Sequence, residues 1–148
     1  MRLSERHRLW GTKCAAVDID FFLEYWSKEP AALVEYKEIH AKPENCKGSA
    51  IDVQNALATY AKVPFFMVFY SIENLTFCVE PLNPYAWEKT ERFEISQGVP
   101  NEKILEQKEN GYIAMSEKGY VKLLYWLRGL PEPSKEEFEK LERGERMT

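Results

Sequence analysis

Two short stretches near the start of the chain decide how it is expected to fold. Residues 15–22 read AAVDIDFF, and residues 33–37 read LVEYK. Both are rich in β-branched and aromatic residues, which is typical of β-strands. Between them, residues 27–30 read SKEP, a sequence that favours a turn. We therefore predict a β-hairpin that extends from Cys14 to Ile39.

The charged residues of this hairpin fall on shared faces. Residues two apart in a strand point to the same side, so Asp18 and Asp20 share one face of the first strand. Glu35 and Lys37 likewise share a face of the second strand. Large apolar residues occupy both faces of the first strand, which indicates cover on both sides, and buried charges need a partner or a metal ion. The alternative is an amphipathic hairpin with one solvated, charged face.

The register of the hairpin selects between the two aspartates. With a two-residue loop at residues 28–29, Phe22 lies opposite Glu35, and Asp20 becomes the diagonal neighbour of Glu35. The Cβ atoms of such neighbours are roughly 7 Å apart, a distance at which two carboxylates can share a divalent ion. A register shifted by two residues would favour Asp18 instead.

A helix and a buried strand are predicted to follow the hairpin. Ser49, with Asp52 three residues later, resembles a capping box that opens a helix ending near Lys62. Gln54 is the only polar member of the predicted inward stripe of this helix. The stripe comprises Ala50, Gln54, Leu57 and Ala61. The apolar run at residues 65–72 is typical of a strand that is buried on both faces.

The rest of the chain is predicted to be largely helical or irregular. A further strand is expected at residues 75–79. The prolines and many charges of residues 81–111 predict short elements that wrap the surface. A helix is expected at residues 116–130, and another is expected to begin after Ser134 as its N-cap and to run to Arg143.

Length and composition limit the class of protein. A chain of 148 residues predicts a single domain over 1–148, with a core at about residues 3–80 and a C-terminal helical elaboration at about 81–148. The net charge of −4 argues against a broadly basic surface for nucleic acid, although phosphate contact depends on local patches. No apolar run is long enough for a membrane helix, and charges occupy the N-terminus where a secretory signal would be apolar. We therefore expect a cytoplasmic protein without a membrane partner.

The side chains available for a metal site favour a hard cation. The chain has three widely spaced cysteines and two histidines, a poor set for zinc. Carboxylates are plentiful, and they suit Mg²⁺ or Mn²⁺.

The hairpin, the helix and the following strand together resemble the PD-(D/E)XK, or restriction-endonuclease-like, nuclease family. That family places an Asp at the start of one strand and Glu-x-Lys on the next, within an αβββαβ core. Asp20 takes the first position, Glu35-Tyr36-Lys37 supplies the second, and Gln54 matches a Gln that many members carry on the following helix. The resemblance covers roughly residues 14–80. Two features differ, since no Pro precedes Asp20 and only two strands are identified before the helix instead of three.

This resemblance implies an α/β fold of the α+β type, with a mixed sheet and extra C-terminal helices. It also implies a metal site. Asp20 and Glu35 would bind Mg²⁺ or Mn²⁺, with the backbone carbonyl of Tyr36 as a further ligand. Asp18 would be an alternative ligand or act through a bound water. Glu5, on a predicted first helix, would match an acidic residue that some members carry there.

The activity implied is metal-dependent hydrolysis of phosphodiester bonds, with DNA as the expected partner and substrate. Lys37 would position the attacking water and stabilise negative charge, and Gln54 would orient the water or a phosphate. Endonuclease and exonuclease action both remain open, as does a homo-oligomer. Two other interpretations remain: a catalytically inactive module of the same fold that binds or scaffolds, and an unrelated α/β interaction protein.

Overall fold

The computed structural model describes residues 21–24, 28–40 and 48–148. Within these residues, five strands form one mixed sheet in the order β1-β2-β3-β4-β5. β2 and β3 are parallel, and each of the other neighbouring pairs is antiparallel. The strands are β1 (Phe21–Glu24), β2 (Pro30–Glu38), β3 (Phe65–Ser71), β4 (Thr76–Pro81) and β5 (Ile113–Ser116). The predicted α/β class with a mixed sheet is therefore confirmed.

Helices cover both faces of the sheet. They are α1 (Ser49–Tyr60), α2 (Pro84–Ser96), α3 (Asn101–Asn110), α4 (Glu117–Leu127) and α5 (Lys135–Glu142). α1 makes the crossover between the parallel strands β2 and β3, as parallel pairing requires. It packs on one face through Ala58 and Ile51, which meet Leu33 and Phe65. α2 and α4 pack on the other face, where Phe93 and Leu123 belong to the larger core cluster.

β2 is the most deeply buried part of the described hairpin. Its residues 31–35 are all buried, so both of its faces are covered. The alternation of a strand places Leu33 and Glu35 toward α1, and Val34 and Tyr36 toward α2 and α4. Cover on both sides was predicted for the first strand, at residues 14–26, most of which lies outside the described residues, so that expectation stays a prediction.

The predicted register of the hairpin is wrong. β1 and β2 are antiparallel, as expected, but Phe22 pairs with Leu33 and not with Glu35. The last pair before the loop joins Glu24 to Pro30, after an irregularity in the ladder. Five residues, 25–29, therefore separate the last paired residues, whereas the prediction allowed a loop of two.

α1 differs from the prediction in its N-cap and in the side that it presents to the sheet. Its N-cap is Gly48, without a side-chain capping bond, so Ser49 does not form the predicted capping box. The predicted stripe is correct only at Gln54, because Ala50, Leu57 and Ala61 are all exposed. The stripe that faces the sheet consists of Ile51, Gln54, Asn55 and Ala58. Two of its members are polar, and one of them, Asn55, donates a hydrogen bond to the backbone carbonyl of Leu82, just after β4.

Residues 81–111 do not wrap the surface as short elements. They form α2 and α3, and Ala86 and Phe93 of α2 lie in the core. The prolines here begin helices, as Pro does at a first helical position. Pro84 follows the N-cap Asn83, and Pro100 is itself the N-cap of α3.

Each of the last two helices begins at a serine N-cap, and the predicted N-cap Ser134 is confirmed. Ser116 accepts a hydrogen bond from the backbone N–H of Gly119 and caps α4. Ser134 accepts from Glu137 and caps α5. The sequence had not indicated β5, which pairs along the outer edge of β4 just before α4. In the described part of the chain, no helix has both the length and the apolar character that a membrane span requires.

Candidate functional site

Glu35 is a carboxylate placed inside the protein. It lies on β2 with only 7% of its surface exposed. β2 has neighbours on both sides, β1 and β3, and α1 lies over the face from which the side chain projects. Burial of an ionised carboxylate is unfavourable unless a positive charge or hydrogen bonds accompany it. Its position therefore needs a specific electrostatic reason.

Lys37 provides a positive charge for this carboxylate. Its Nζ atom lies 3.4 Å from Oε1 of Glu35, and the lysine side chain is 24% exposed. The two side chains project from the same face because they are two residues apart on one strand. The predicted Glu35–Lys37 pair is thus brought together, with the carboxylate inside and the ammonium group toward the solvent.

Gln54 reaches the same layer of the structure from α1. It is 4% exposed and occupies the inward stripe between Ile51 and Ala58. This burial agrees with the prediction that Gln54 faces the sheet. Its closeness to Lys37 stays a prediction.

A cleft opens on the same face of the sheet, one strand away from the pair. Met67 and Phe69 of β3 are the partners of Glu35 and Lys37 across the sheet, and both line this cleft. The cleft has a volume of about 440 Å³. Its remaining lining residues are Gly48, Ile51, Asp52, Glu80 and Leu82. The pair therefore lies one strand away from a space that could admit part of a ligand.

Two acidic residues of this cleft were missed by sequence reasoning. Asp52 lies in the first turn of α1, and Glu80 pairs with Met67 across β3 and β4. Glu35, Met67 and Glu80 thus form one row across three strands. The signal in the sequence was a single Glu in the otherwise apolar stretch TFCVEP, residues 76–81.

The side chain of Tyr36 points to the opposite face of the sheet. Its hydroxyl group is hydrogen-bonded to that of Tyr120 in α4, at 2.5 Å. Burial raises the pKa of both phenols, and the hydrogen bond from Tyr120 opposes this only partly at Tyr36. This pair anchors α4 to β2 directly beneath the Glu-x-Lys segment, and nothing in the sequence marked Tyr120 as its partner.

The backbone carbonyl of Tyr36 is directed toward the β1 side of β2. Leu33 and Ile39 donate their N–H groups to carbonyls on the β3 side, those of Pro64 and Tyr70. Polar backbone groups alternate between the two edges of a strand, so those of Tyr36 point the other way. This carbonyl therefore faces the strand that precedes β2 in the sequence.

The remaining predicted ligands, Glu5, Asp18 and Asp20, lie outside the described residues. Among the residues that are described, no group of three or more His, Cys, Asp or Glu side chains is arranged to hold a metal ion. The described donor set is one buried carboxylate with a carbonyl on the adjacent residue. Both are hard oxygen donors of the kind that Mg²⁺ accepts, and Mg²⁺ commonly binds through only one or two carboxylates.

Comparison of the chain with protein-family models, with curated proteins and with solved structures gave no match.

A second buried carboxylate lies away from this site, between α2 and α3. Glu94 is 6% exposed and accepts a hydrogen bond from the side chain of Gln107. Burial raises the pKa of its carboxyl group, and the Gln107 hydrogen bond and the charge of Lys103 oppose this only in part. The Oε1 atom of Gln107 is buried and has no hydrogen-bond partner among the described residues.

We expect Glu94→Gln to stabilise the protein at neutral pH. A raised pKa means that the folded state binds the proton more tightly than the unfolded chain, so stability falls as pH rises through the folded-state pKa. The substitution removes the buried charge and supplies an amide that can donate to Gln107. We expect a gain of about 1 kcal/mol, or a melting temperature about 2–4 °C higher at pH 7.

Thermal melts from pH 4 to pH 8 test this expectation. The gain should shrink toward acid pH, where Glu94 of the parent is protonated. Glu106→Gln, an exposed change on α3, should leave the melting temperature within about 1 °C at every pH. A lower melting temperature for Glu94→Gln at pH 7 would show that the ionised carboxylate stabilises the fold.

Proposed function

We propose that this protein is a metal-dependent nuclease that hydrolyses phosphodiester bonds in DNA. The observation that carries the proposal is the buried Glu35 carboxylate held beside Lys37. The partners of these two residues on β3, Met67 and Phe69, line a cleft. A carboxylate beside an ammonium group fits the demands of phosphate chemistry, which needs a metal ligand and a cation together.

The arrangement of elements around the pair supports the same proposal. An antiparallel hairpin carries the Glu-x-Lys segment on its second strand, a crossover helix follows, and the next strand is parallel to the second. This is the order that the PD-(D/E)XK core has from its motif strand onward. Gln54 lies on the crossover helix and is buried on its sheet side.

In the proposed reaction, a water oxygen attacks phosphorus, one P–O ester bond breaks, and the leaving oxygen takes a proton. A bound Mg²⁺ or Mn²⁺ would lower the pKa of that water and polarise the phosphoryl group. Glu35, the Tyr36 carbonyl and Asp20 would hold the ion. Lys37 would hold the water and offset the negative charge that develops on the phosphate.

A cleavage assay tests the proposal. Labelled linear, circular and branched DNA is incubated with the full chain in Mg²⁺, in Mn²⁺ and with a chelator. Products that appear only with a divalent ion are expected, and cleavage of circular DNA would identify an endonuclease. No cleavage of DNA under any of these conditions, together with no Mn²⁺ binding, would overturn the proposal.

One observation favours a second candidate, a non-catalytic module of the same fold. Asp52 and Glu80 are acidic residues that line the cleft, and the chain carries a net charge of −4. Acidic walls repel a phosphate backbone unless bound cations offset them. Binding of Mn²⁺ without cleavage would support this candidate over the enzyme.

The observed register makes a specific prediction for the second ligand. Phe21 is paired with Val34, so one further antiparallel pair would place Asp20 directly opposite Glu35. Cβ atoms of opposite residues are about 4.5–5.5 Å apart, closer than the diagonal neighbours of the predicted register. Asp18 would then lie opposite Lys37. A shift of two residues in this direction therefore still favours Asp20, contrary to the expectation that such a shift favours Asp18. We therefore expect Asp20, and not Asp18, to be the metal ligand.

Mn²⁺ affinity, measured by calorimetry or by paramagnetic relaxation, tests this assignment. Asp20→Asn should weaken binding at least about tenfold, and Asp18→Asn should weaken it much less. Each substitution removes one charge and keeps the side-chain volume, so each controls for the other. The reverse order of effects would assign the ligand to Asp18.

A further inference from the structure

The outward face of α1 is apolar and exposed. Val53, Leu57 and Tyr60 lie at helical spacing and are 53%, 56% and 94% exposed. Six other large apolar residues in the described part of the chain are more than a third exposed, but no two of them lie on one helix. A stripe of this kind on one element, as opposed to scattered single residues, is typical of an interaction surface.

The charge pattern of α1 also sets it apart from other surface helices. Residues 53–61 contain no charged side chain, and Asp52 is the single charged residue of the helix. In contrast, α3 and α5 carry many exposed charges, as solvated helices do. Ala56 and Ala61 fill the exposed positions beside the stripe with small side chains, which would allow a second helix to approach closely.

We propose that a second copy of this chain covers this stripe, with the two α1 helices packed antiparallel about a two-fold axis. The midpoint of the stripe lies between Ala56 and Leu57. An antiparallel partner centred there would place Val53 opposite Tyr60 of the second copy, so that the apolar residues cover one another. A two-fold contact requires such a self-complementary surface.

The ends of the stripe carry the charges that this packing needs. Asp52 lies just before the stripe, and Lys62 lies just after it. The two residues are nearly equidistant from its midpoint, so antiparallel packing brings Asp52 of one copy level with Lys62 of the other. Parallel packing would instead place the two Asp52 side chains together and the two Lys62 side chains together. Lys62 lies just beyond the C-cap Ala61. Charge complementarity therefore favours antiparallel over parallel packing of two copies.

The surface is small, so the association should be weak. A stable interface buries about 800 Å² on each partner, which is more than one 12-residue helix offers through a single stripe. We expect a dissociation constant on the order of 10 µM. Sedimentation velocity of the full chain from 1 to 500 µM should show a reversible monomer–dimer equilibrium.

Two leucines of matched exposure provide the test variant and its control. Leu57 in the stripe is 56% exposed, and Leu105 on α3 is 59% exposed. Because a two-fold interface contains each substitution twice, Leu57→Glu should weaken dimerisation at least about 100-fold, whereas Leu105→Glu should leave it unchanged. Oxidation of an Ala56→Cys variant should yield a covalent dimer faster than oxidation of the parent with its three native cysteines.

Three results would overturn the proposal. One is a parent chain that stays monomeric at 500 µM. Another is a dimer that Leu57→Glu leaves intact. The third is a monomeric parent in which Leu57→Glu lowers the melting temperature by several degrees more than Leu105→Glu does, because the stripe would then be covered within its own chain. None of these measurements depends on nuclease activity.

Discussion

Glu35→Gln and Lys37→Ala should each reduce metal-dependent DNA cleavage at least about 100-fold. Removal of one charge-stabilising group from an active site typically lowers the rate by about this factor. Glu35→Gln keeps the shape of the side chain and removes the charge that would hold the ion. Lys37→Ala removes the ammonium group that lies 3.4 Å from the carboxylate. Single-turnover rates at saturating Mn²⁺ would measure the loss, and Mn²⁺ titration would separate a binding defect from a chemical one.

The two variants should also differ in their free energy of unfolding. Stability has to be measured beside cleavage, because a variant that unfolds would show that the ion pair is structural. Lys37→Ala removes the positive charge beside a buried carboxylate, so we expect the variant to lose about 1–3 kcal/mol. Glu35→Gln removes the buried charge itself and should cost less. Glu35→Ala would add the loss of side-chain packing to the loss of charge. Folded variants that lack cleavage support the proposed roles, whereas variants that cut like the parent contradict them.

Glu38→Gln is the matched control for this experiment. Glu38 lies on the same strand but on the opposite face, and it is exposed. Its carboxylate accepts a hydrogen bond from the backbone N–H of His40 and does not face α1. Cleavage by this variant should match that of the parent. A comparable loss at Glu38 would mean that any negative charge on β2 matters, and not a specific ligand.

The parts of the fold that follow from local signals were predictable. Ser134 caps its helix as predicted, because an N-cap depends on a few adjacent residues. The apolar run at residues 65–72 forms β3, since a strand buried on both faces needs little from its neighbours to be recognised. The prediction for residues 81–111 was wrong because Pro84 and Pro100 start helices there.

The hairpin register was not predictable because it depends on how the loop closes. The sequence of residues 27–30 allows several loop lengths. The chain adopts a longer connection, with Lys28 at a positive φ of 72° and an irregularity beside Leu23 and Glu24. A shift of two residues keeps every side chain on its face, so the alternation pattern cannot detect it. Glu35 therefore keeps its predicted face of β2, but Phe22 pairs with Leu33 in its place.

The orientation of α1 escaped prediction for a related reason. Hydrophobic periodicity assigns Leu57 to the core and Asn55 to the surface, but the helix does the reverse. Asn55 donates a hydrogen bond to the carbonyl of Leu82, and Thr59 donates one to Asn55. These polar contacts join α1 to the segment between β4 and α2. Such tertiary hydrogen bonds leave no periodic signature in the sequence.

Asn83→Ala should be the most destabilising single substitution at a polar residue in the described part of the chain. Its Oδ1 accepts from the backbone N–H groups of Phe65 and Ala86, at 3.3 and 2.9 Å. Its Nδ2 donates to the Val63 carbonyl at 2.9 Å and to Thr59 Oγ1 at 3.3 Å. One buried side chain thus joins the end of α1, the start of β3 and the first turn of α2.

Alanine at this position removes a helix cap and leaves buried backbone groups unsatisfied. Loss of an N-cap costs about 0.5–2 kcal/mol, and each buried group without a partner adds about 1–3 kcal/mol. We therefore expect a loss of about 3–5 kcal/mol, or a melting temperature about 10 °C lower. Urea unfolding of the parent and the variant would measure the difference directly, because the slope should not change.

Ser134→Ala separates the effect of the network from that of a simple cap. Ser134 caps α5 through one hydrogen bond, from Glu137 at 3.2 Å, in an exposed position. Water can replace that bond, so Ser134→Ala should cost about 1 kcal/mol. Asn83→Ala should cost at least twice as much, because water cannot reach the buried backbone groups that lose their hydrogen bonds to the Asn83 side chain. Equal losses for the two variants would mean that Asn83 acts only as a cap, and that the junction of α1, β3 and α2 is held by apolar packing alone.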